Sequence, residues 1–219
     1  MCGRFYVPEK DIDDFVGLIN KAEKELLKKS GEIFPGDYAP VITPAPNPNT
    51  SVSVIHETQN GEEPLNAPFN VTIHAVKWGF PVKKGGPIIN ARCETIQQKP
   101  MFKLPFSTHR CLIPARGFFE WKETEGKKKA KYYISQKDNG FMYLAGIYWF
   151  FKNNSNVTLP CFTIITTEAN EEIREFHDRM PVIIPDHYKN VWLYDDHKAD
   201  ELMKLMAPLK PGILRIKAV

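Results

Sequence analysis

The sequence predicts an α/β (α+β) fold: a single domain over residues 1–219, with a mainly antiparallel, barrel-like mixed sheet flanked by short helices. Three observations lead there. Six segments are rich in β-branched and aromatic residues and bounded by Gly, Pro or Asn. Helical patterns are short and gather towards the two ends of the chain. No repeat, heptad or low-complexity linker divides the 219 residues, a length that can bury one continuous core.

In chain order, DIDDFVGLINKAEKELLKK (11–29) sets Ile12, Phe15, Val16, Ile19, Leu26 and Leu27 near helical spacing, with acids early and lysines late. It predicts an amphipathic helix. The proline-rich FPGDYAPVITPAPNPNT (34–50) reads as a rigid extended loop, because proline removes donors and breaks regular structure. Strands are expected at SVSVI (51–55), NVTIHAVKW (70–78), RCLIPARGFFEWK (110–122), KYYISQ (131–136), FMYLAGIYWFF (141–151) and VTLPCFTIITT (157–167). ETEGKKKAK (123–131) is a hairpin tip with solvated lysines. ANEEIREFHD (169–178) and DHYKNVWLYD (186–195) read as short helices around the strand RMPVIIP (179–185), and ADELMKLMAPL (199–209) as a third helix.

Composition narrows the function classes. No apolar run reaches the length of a membrane span, and no basic segment precedes an apolar one at the N-terminus, so a cytoplasmic location is expected. Cys2, Cys93, Cys111 and Cys161 are scattered without a C-x-x-C pair, which argues against a zinc site or a disulfide framework; neither metal nor cofactor is implied. The net charge of +3 is too small to mark a nucleic-acid binder by bulk basicity, so any such function rests on a local patch. Arginines are more informative than the total. Arg4, Arg92, Arg110, Arg116, Arg174 and Arg179 fall in or beside four unusual blocks, as either fixed anion contacts or structural ion pairs.

Those blocks are MCGRF (1–5), IINARCETI (88–96), RCLIPARGFFEW (110–121) and EFHDRMPVIIP (175–185). In the first, loss of Met1 leaves Cys2 with a thiol and an α-amine two carbons apart. In the second, an extended backbone points Asn90, Arg92 and Glu94 to one face, as a site lining or as a solvent face. In the third, Glu120 lies among Phe118, Phe119 and Trp121. It is either a carboxyl with a raised pKa, suited to proton transfer, or a residue turned to water while Phe119 and Trp121 face the core. In the fourth, His177 follows a short helix and has the side chain whose ordinary pKa, about 6.5, permits proton uptake and release near neutrality. His56, His74, His109, His187 and His197 read as structural or surface residues. Trp78 and Trp121 are base-stacking platforms or core residues.

Taken together and in this order, MCGRF, NARCE, RCLIPARGFFEW and HDRMPVIIP resemble the SOS response-associated peptidase (SRAP) family, also called abasic site processing proteins. The resemblance spans residues 2 to about 185. It implies binding of single-stranded DNA and a covalent cross-link to abasic sites through the N-terminal cysteine after Met1 is lost, autocatalytically or to an aminopeptidase, with an associated lyase activity. It places catalytic roles on Cys2, Asn90, Glu120 and His177 and DNA contacts on Arg4, Trp78, Arg92 and Trp121. The expected partner is single-stranded DNA containing abasic sites, with no membrane or metal, and the expected state is a monomer. Two rivals stand beside it. Glutamine amidotransferases with an N-terminal cysteine also begin Met-Cys-Gly, but Arg4 and Phe5 depart from their continuation. A non-covalent single-strand binder would use the same polar blocks merely to follow phosphates.

Overall fold

Long runs of β-branched and aromatic residues dominate the middle of the chain, and they form the longest strands. The computed structural model describes residues 2–11, 19, 23, 25–27, 31–45, 71–124, 128–194 and 199–219. The strands are β1 (Phe5–Tyr6), β2 (Glu32–Ile33), β3 (Tyr38–Pro44), β4 (Val71–Trp78), β5 (Asn90–Arg92), β6 (Arg110–Ala115), β7 (Gly117–Glu123), β8 (Lys129–Gln136), β9 (Met142–Lys152), β10 (Thr158–Glu168), β11 (Arg179–Pro181), β12 (Ile183–Ile184) and β13 (Leu214–Ala218). Among the described residues the numbered helices are α1 (Pro100–Thr108), α2 (Glu171–Arg174), α3 (Lys189–Leu193) and α4 (Ala199–Leu205), with short 3₁₀ turns at Cys93–Thr95 and Asp186–Tyr188; residues 9–11 are helical as well.

One sheet runs β13-β8-β7-β1-β2. The other runs β11-β10-β4-β3-β6-β9-β12, with β5 on β10. Because β10 also pairs with β9 over Thr158–Ile164, strands β10, β4, β3, β6 and β9 close a ring and leave one another no free edge. Every pairing of named strands is antiparallel except β10 with β4 and β10 with β5. The barrel-like mixed sheet with short helices is therefore as the sequence predicts. Its strands are covered on both faces, with Val41, Leu112, Ile113, Leu144, Phe162 and Ile164 each fully buried.

Several elements differ from the sequence reading. Residues 38–44 of the proline-rich stretch form β3, paired with β4 from Tyr38↔Lys77 to Pro44↔Val71. On its other side β3 meets β6 at the Ile42↔Leu112 bridge, flanked by Pro40 and Pro44. A strand tolerates prolines where few ladder donors are needed. The C-terminal strand β13, paired to β8, and helix α1, which buries Phe102 and Phe106, carry no strong sequence signal. The run RCLIPARGFFEWK divides at Arg116 into β6 and β7, which belong to different sheets. The strand RMPVIIP likewise divides into β11 and β12. Most of the expected helix over 11–29, the expected strand 51–55 and the hairpin tip at 125–127 lie outside the described residues.

Candidate active site

The site begins with the way the N-terminus is held. β1 lies between two strands, with Phe5 opposite Phe118 of β7 and Ile33 of β2, and the Phe119 N–H donates to the Arg4 carbonyl at 2.9 Å. Phe5 is fully buried against Trp78, ring centroids 5.0 Å apart. This anchor carries Cys2 into the interior, where it has no exposed surface. Asn90, at the start of β5, donates from Nδ2 to the Cys2 carbonyl at 3.0 Å. Its Oδ1 is buried and has no hydrogen-bond partner. Residues 2 and 90 thus meet through a bond that only the tertiary fold creates.

Alternation along β7 decides the place of Glu120. Phe118 and Glu120 turn inward, fully buried and 3% exposed, while Phe119 and Trp121 lie on the opposite face against Tyr6, Tyr133 and Arg4. The bland reading, with Glu120 in water, is thereby reversed. Burial raises the Glu120 pKa, the chain's N-terminal ammonium opposes the rise and Asp178 adds to it. Burial also pushes the Cys2 thiol far up, with the Glu120 carboxylate as the next contributor, so Cys2 is held as a neutral thiol.

His177 follows the end of α2, which is capped by Asn170 Oδ1 accepting the Ile173 N–H at 3.0 Å. The His177 N–H closes on the Ile173 carbonyl at 3.0 Å. Its Nδ1 lies 2.9 Å from the Arg179 N–H and 2.6 Å from Asp178 Oδ1. These contacts exclude each other, since the first needs a lone pair on Nδ1 and the second a proton. The backbone donor is fixed in direction, whereas Asp178 is 77% exposed and free to turn, so we assign Nδ1 as acceptor in the neutral ring. Nε2 then carries the proton. Burial, followed by the N-terminal ammonium, lowers the His177 pKa and favours this neutral form.

The other candidates take varied positions. Arg4 pairs with Glu32 (Nη1 to Oε2, 3.0 Å) and lies between the rings of Phe34 and Trp121, 4.1 and 4.9 Å from their centroids. Arg92 is exposed and lines a cavity of about 310 Å³ with Glu168, Arg174, Asp178 and Arg179. Glu94 leaves the stripe expected of Asn90, Arg92 and Glu94, because β5 ends at Arg92 and turns into a 3₁₀ helix. It forms a two-bond pair with Arg179 instead, at 2.7 and 2.9 Å. Trp78 is fully buried, stacked with Phe162 and donating from Nε1 to the Ile89 carbonyl, so its ring offers no face to a base. Trp121 is half-buried.

Two further arginines are structural. Arg110 is buried and donates to the carbonyls of Phe106, Trp192 and Tyr194. Arg116 makes a two-bond pair with Asp11. Sequence reasoning missed Glu32, Phe34 and Lys131, whose Nζ lies 2.6 Å from Glu32 Oε1; none stands in a distinctive block. All four cysteines are free thiols. Among the described residues no cluster of His, Cys, Asp or Glu is arranged to hold a metal, and no helix is long and apolar enough to cross a membrane.

The chain is similar to known proteins over most of its length. Abasic site processing protein YoaM of Bacillus subtilis (strain 168) is 32% identical over 216 residues, covering 95% of this chain and 86% of that protein. Abasic site processing protein YoqW of the same organism is also 32% identical over 216 residues, covering 95% and 87%. A crystal structure of a protein from Bacteroides thetaiotaomicron shares the fold, with a TM-score of 0.76 at 22% identity over 100% of this chain and 92% of that one. The family description "SOS response associated peptidase (SRAP)" matches residues 1–219. The chain belongs to the SRAP family.

Proposed function

We propose that this protein processes abasic sites: it binds single-stranded DNA and captures the abasic aldehyde on Cys2, after Met1 is removed, as a thiazolidine. What supports the reading is that Asn90 bonds the Cys2 carbonyl and that the Glu120 carboxylate lies near enough to act on the Cys2 thiol, residues 2, 90 and 120 being drawn from three distant segments. In this reading residues 1–219 act as one domain and as a monomer. Met1 lies outside the described residues, and its removal, by self-cleavage or by an aminopeptidase, is part of the proposal.

The chemistry follows from the two nucleophiles of one residue. The α-amine of Cys2 adds to C1′ of the open-chain sugar, forming a C–N bond; loss of water gives an imine. The Cys2 thiol then adds across the C=N bond, sulfur to C1′ and the proton to nitrogen. The product is a five-membered ring, with one water released overall and no oxidant or metal consumed. Holding the second nucleophile in place makes this closure effectively unimolecular.

Order of attack follows from proton affinities. An α-amine has an ordinary pKa of about 7.7–8.0, whereas the Cys2 thiol is held well above its usual range, so the amine attacks first. Glu120, its pKa raised, takes the ammonium proton and returns it to the departing water. His177 in its neutral form carries a proton on Nε2 for the sugar ring oxygen as the ring opens. Asn90 fixes the Cys2 carbonyl through Nδ2 and keeps Oδ1 for the sugar hydroxyl. Arg4, Arg92 and Trp121 contact the strand. Because the imine also precedes β-elimination, slow strand cleavage accompanies capture.

The test is incubation with a single-stranded oligonucleotide containing one abasic site, followed by a denaturing gel. A covalent band is expected for the protein with Cys2 at its terminus, and none for Cys2→Ala or for a protein with an uncleaved N-terminal extension. Equal cross-linking by the extended protein would sink the α-amine mechanism. His177→Ala and Glu120→Ala are each expected to slow capture by about 10²–10⁴-fold, the usual contribution of a proton-transfer group. Binding of undamaged strands by these two variants should persist.

A further inference from the structure

Arg4 does not stand alone beside the site. Glu32, opposite Tyr6 across the β1–β2 pair, holds two cations at once: Arg4 Nη1 on Oε2 at 3.0 Å and Lys131 Nζ on Oε1 at 2.6 Å. Lys131 is opposite Trp121 in the β7–β8 pair, so cations from before β1 and from β8 meet over one carboxylate from β2. All three side chains are about a quarter to a third exposed, enough for a ligand to reach them. Aromatic rings fix both cations: Arg4 lies between Phe34 and Trp121, and Lys131 Nζ lies 4.1 Å from the Phe119 ring centroid. Arg4 is not saturated by this arrangement, since its buried Nε–H has no acceptor. Two cations and one anion leave the cluster a net charge of +1. The Glu32 carboxylate is kept ionised, because burial, which would raise its pKa, is outweighed by Lys131 and Arg4.

We infer that Arg4 and Lys131 together form a phosphodiester-binding subsite in which Glu32 is the resident anion, a built-in competitor that the DNA backbone must displace or share. The inference rests on the reading of the protein as a single-strand binder, and it adds Lys131 as a phosphate contact and Glu32 as a residue that weakens binding. A planar carboxylate with two oxygens on two cations occupies the position a phosphate with two free oxygens would take. The aromatic walls keep the cations in place when the anion changes. A merely structural Glu32 predicts the opposite sign, because its loss would leave Arg4 and Lys131 unanchored and binding poorer.

The experiment measures fluorescence anisotropy of an undamaged single-stranded oligothymidylate against sodium chloride concentration. The unaltered protein, Glu32→Gln and Lys131→Met are compared, with thermal melts to establish that each is folded. Each phosphate neutralised on a single strand contributes about 0.7 to the slope of log affinity against log salt. Glu32→Gln is expected to bind more tightly and to steepen the slope by up to about 0.7, a relative gain of ~2–3-fold between 200 and 50 mM salt. Lys131→Met is expected to flatten it by about the same amount. Weaker or unchanged binding by Glu32→Gln overturns the inference, as does an unchanged slope for Lys131→Met. Cross-linking of the unaltered protein to an abasic strand, run in parallel, separates the two readings. A covalent band with unmoved slopes removes only the subsite, whereas moved slopes without a band remove only the capture chemistry.

Discussion

Glu120 carries the conflict between folding and chemistry most plainly. A carboxyl 3% exposed, with its pKa raised by burial, is a group the folded chain holds less comfortably ionised than the unfolded chain does. The linkage has a definite sign. A raised folded pKa contributes stability at pH values below the unfolded pKa, and that stability is lost as pH rises through the folded pKa. Glu120→Gln is therefore expected to melt higher than the unaltered protein at neutral pH, by about 2–4 °C if the relief is near 1 kcal/mol. The difference should shrink as pH is lowered through the folded pKa, while cross-linking falls sharply. A melting temperature that drops at neutral pH would show the carboxylate to be a net stabiliser. Glu120 also marks a limit of sequence reading, since alternation alone gives two faces and cannot say which is inside. The cross-strand partners Phe5, opposite Phe118, and Tyr133, opposite Phe119, settle that choice, and they are remote in the chain.

At the scale of elements, the strands that build the barrel were legible because their residues alternate or run apolar between turn formers, as in β4, β9 and β10. The two-residue strands β1 and β2, which position Cys2 and Glu32, were not, because they exist only through the partners that flank them. β7 depends on a residue whose role is also hidden in sequence. A side chain on Gly117 would run into the Ile134 carbonyl and come within 2.6 Å of the Tyr133 ring. Gly117→Ala is expected to cost about 1–3 kcal/mol, the usual penalty for overfilling a packed position. Because Gly117 lies opposite Tyr6 and three residues before Glu120, the same substitution should slow cross-linking. A melt together with the denaturing gel checks both effects; an unchanged melting temperature would mean that β7 and β8 separate easily.

At the scale of the whole molecule, a net charge of +3 over 219 residues leaves little long-range attraction for DNA, so the proposed strand binding must come from a few placed cations. Arginine position in the sequence was only a partial guide to them. Arg110, Arg116 and Arg179 are committed to backbone carbonyls, Asp11 and Glu94, while Arg92 stands exposed at the cavity it shares with Glu168, Arg174 and Asp178. Arg92→Ala is expected to weaken single-strand binding and flatten its salt dependence by about 0.7, with an anisotropy titration as the check. An unchanged slope would take Arg92 off the phosphate path. The enclosure of Cys2 bears on the protein's endurance. Under the proposed capture, a protein that ends as a stable adduct is a single-use reagent, and each molecule consumed by a stray electrophile is lost to that task. Soft alkylating agents and peroxides seek thiolates at open surfaces. A thiol with no exposed surface, kept protonated by its surroundings, is passed over by such agents, which in the proposed reading keeps it for an aldehyde delivered on a strand that fits.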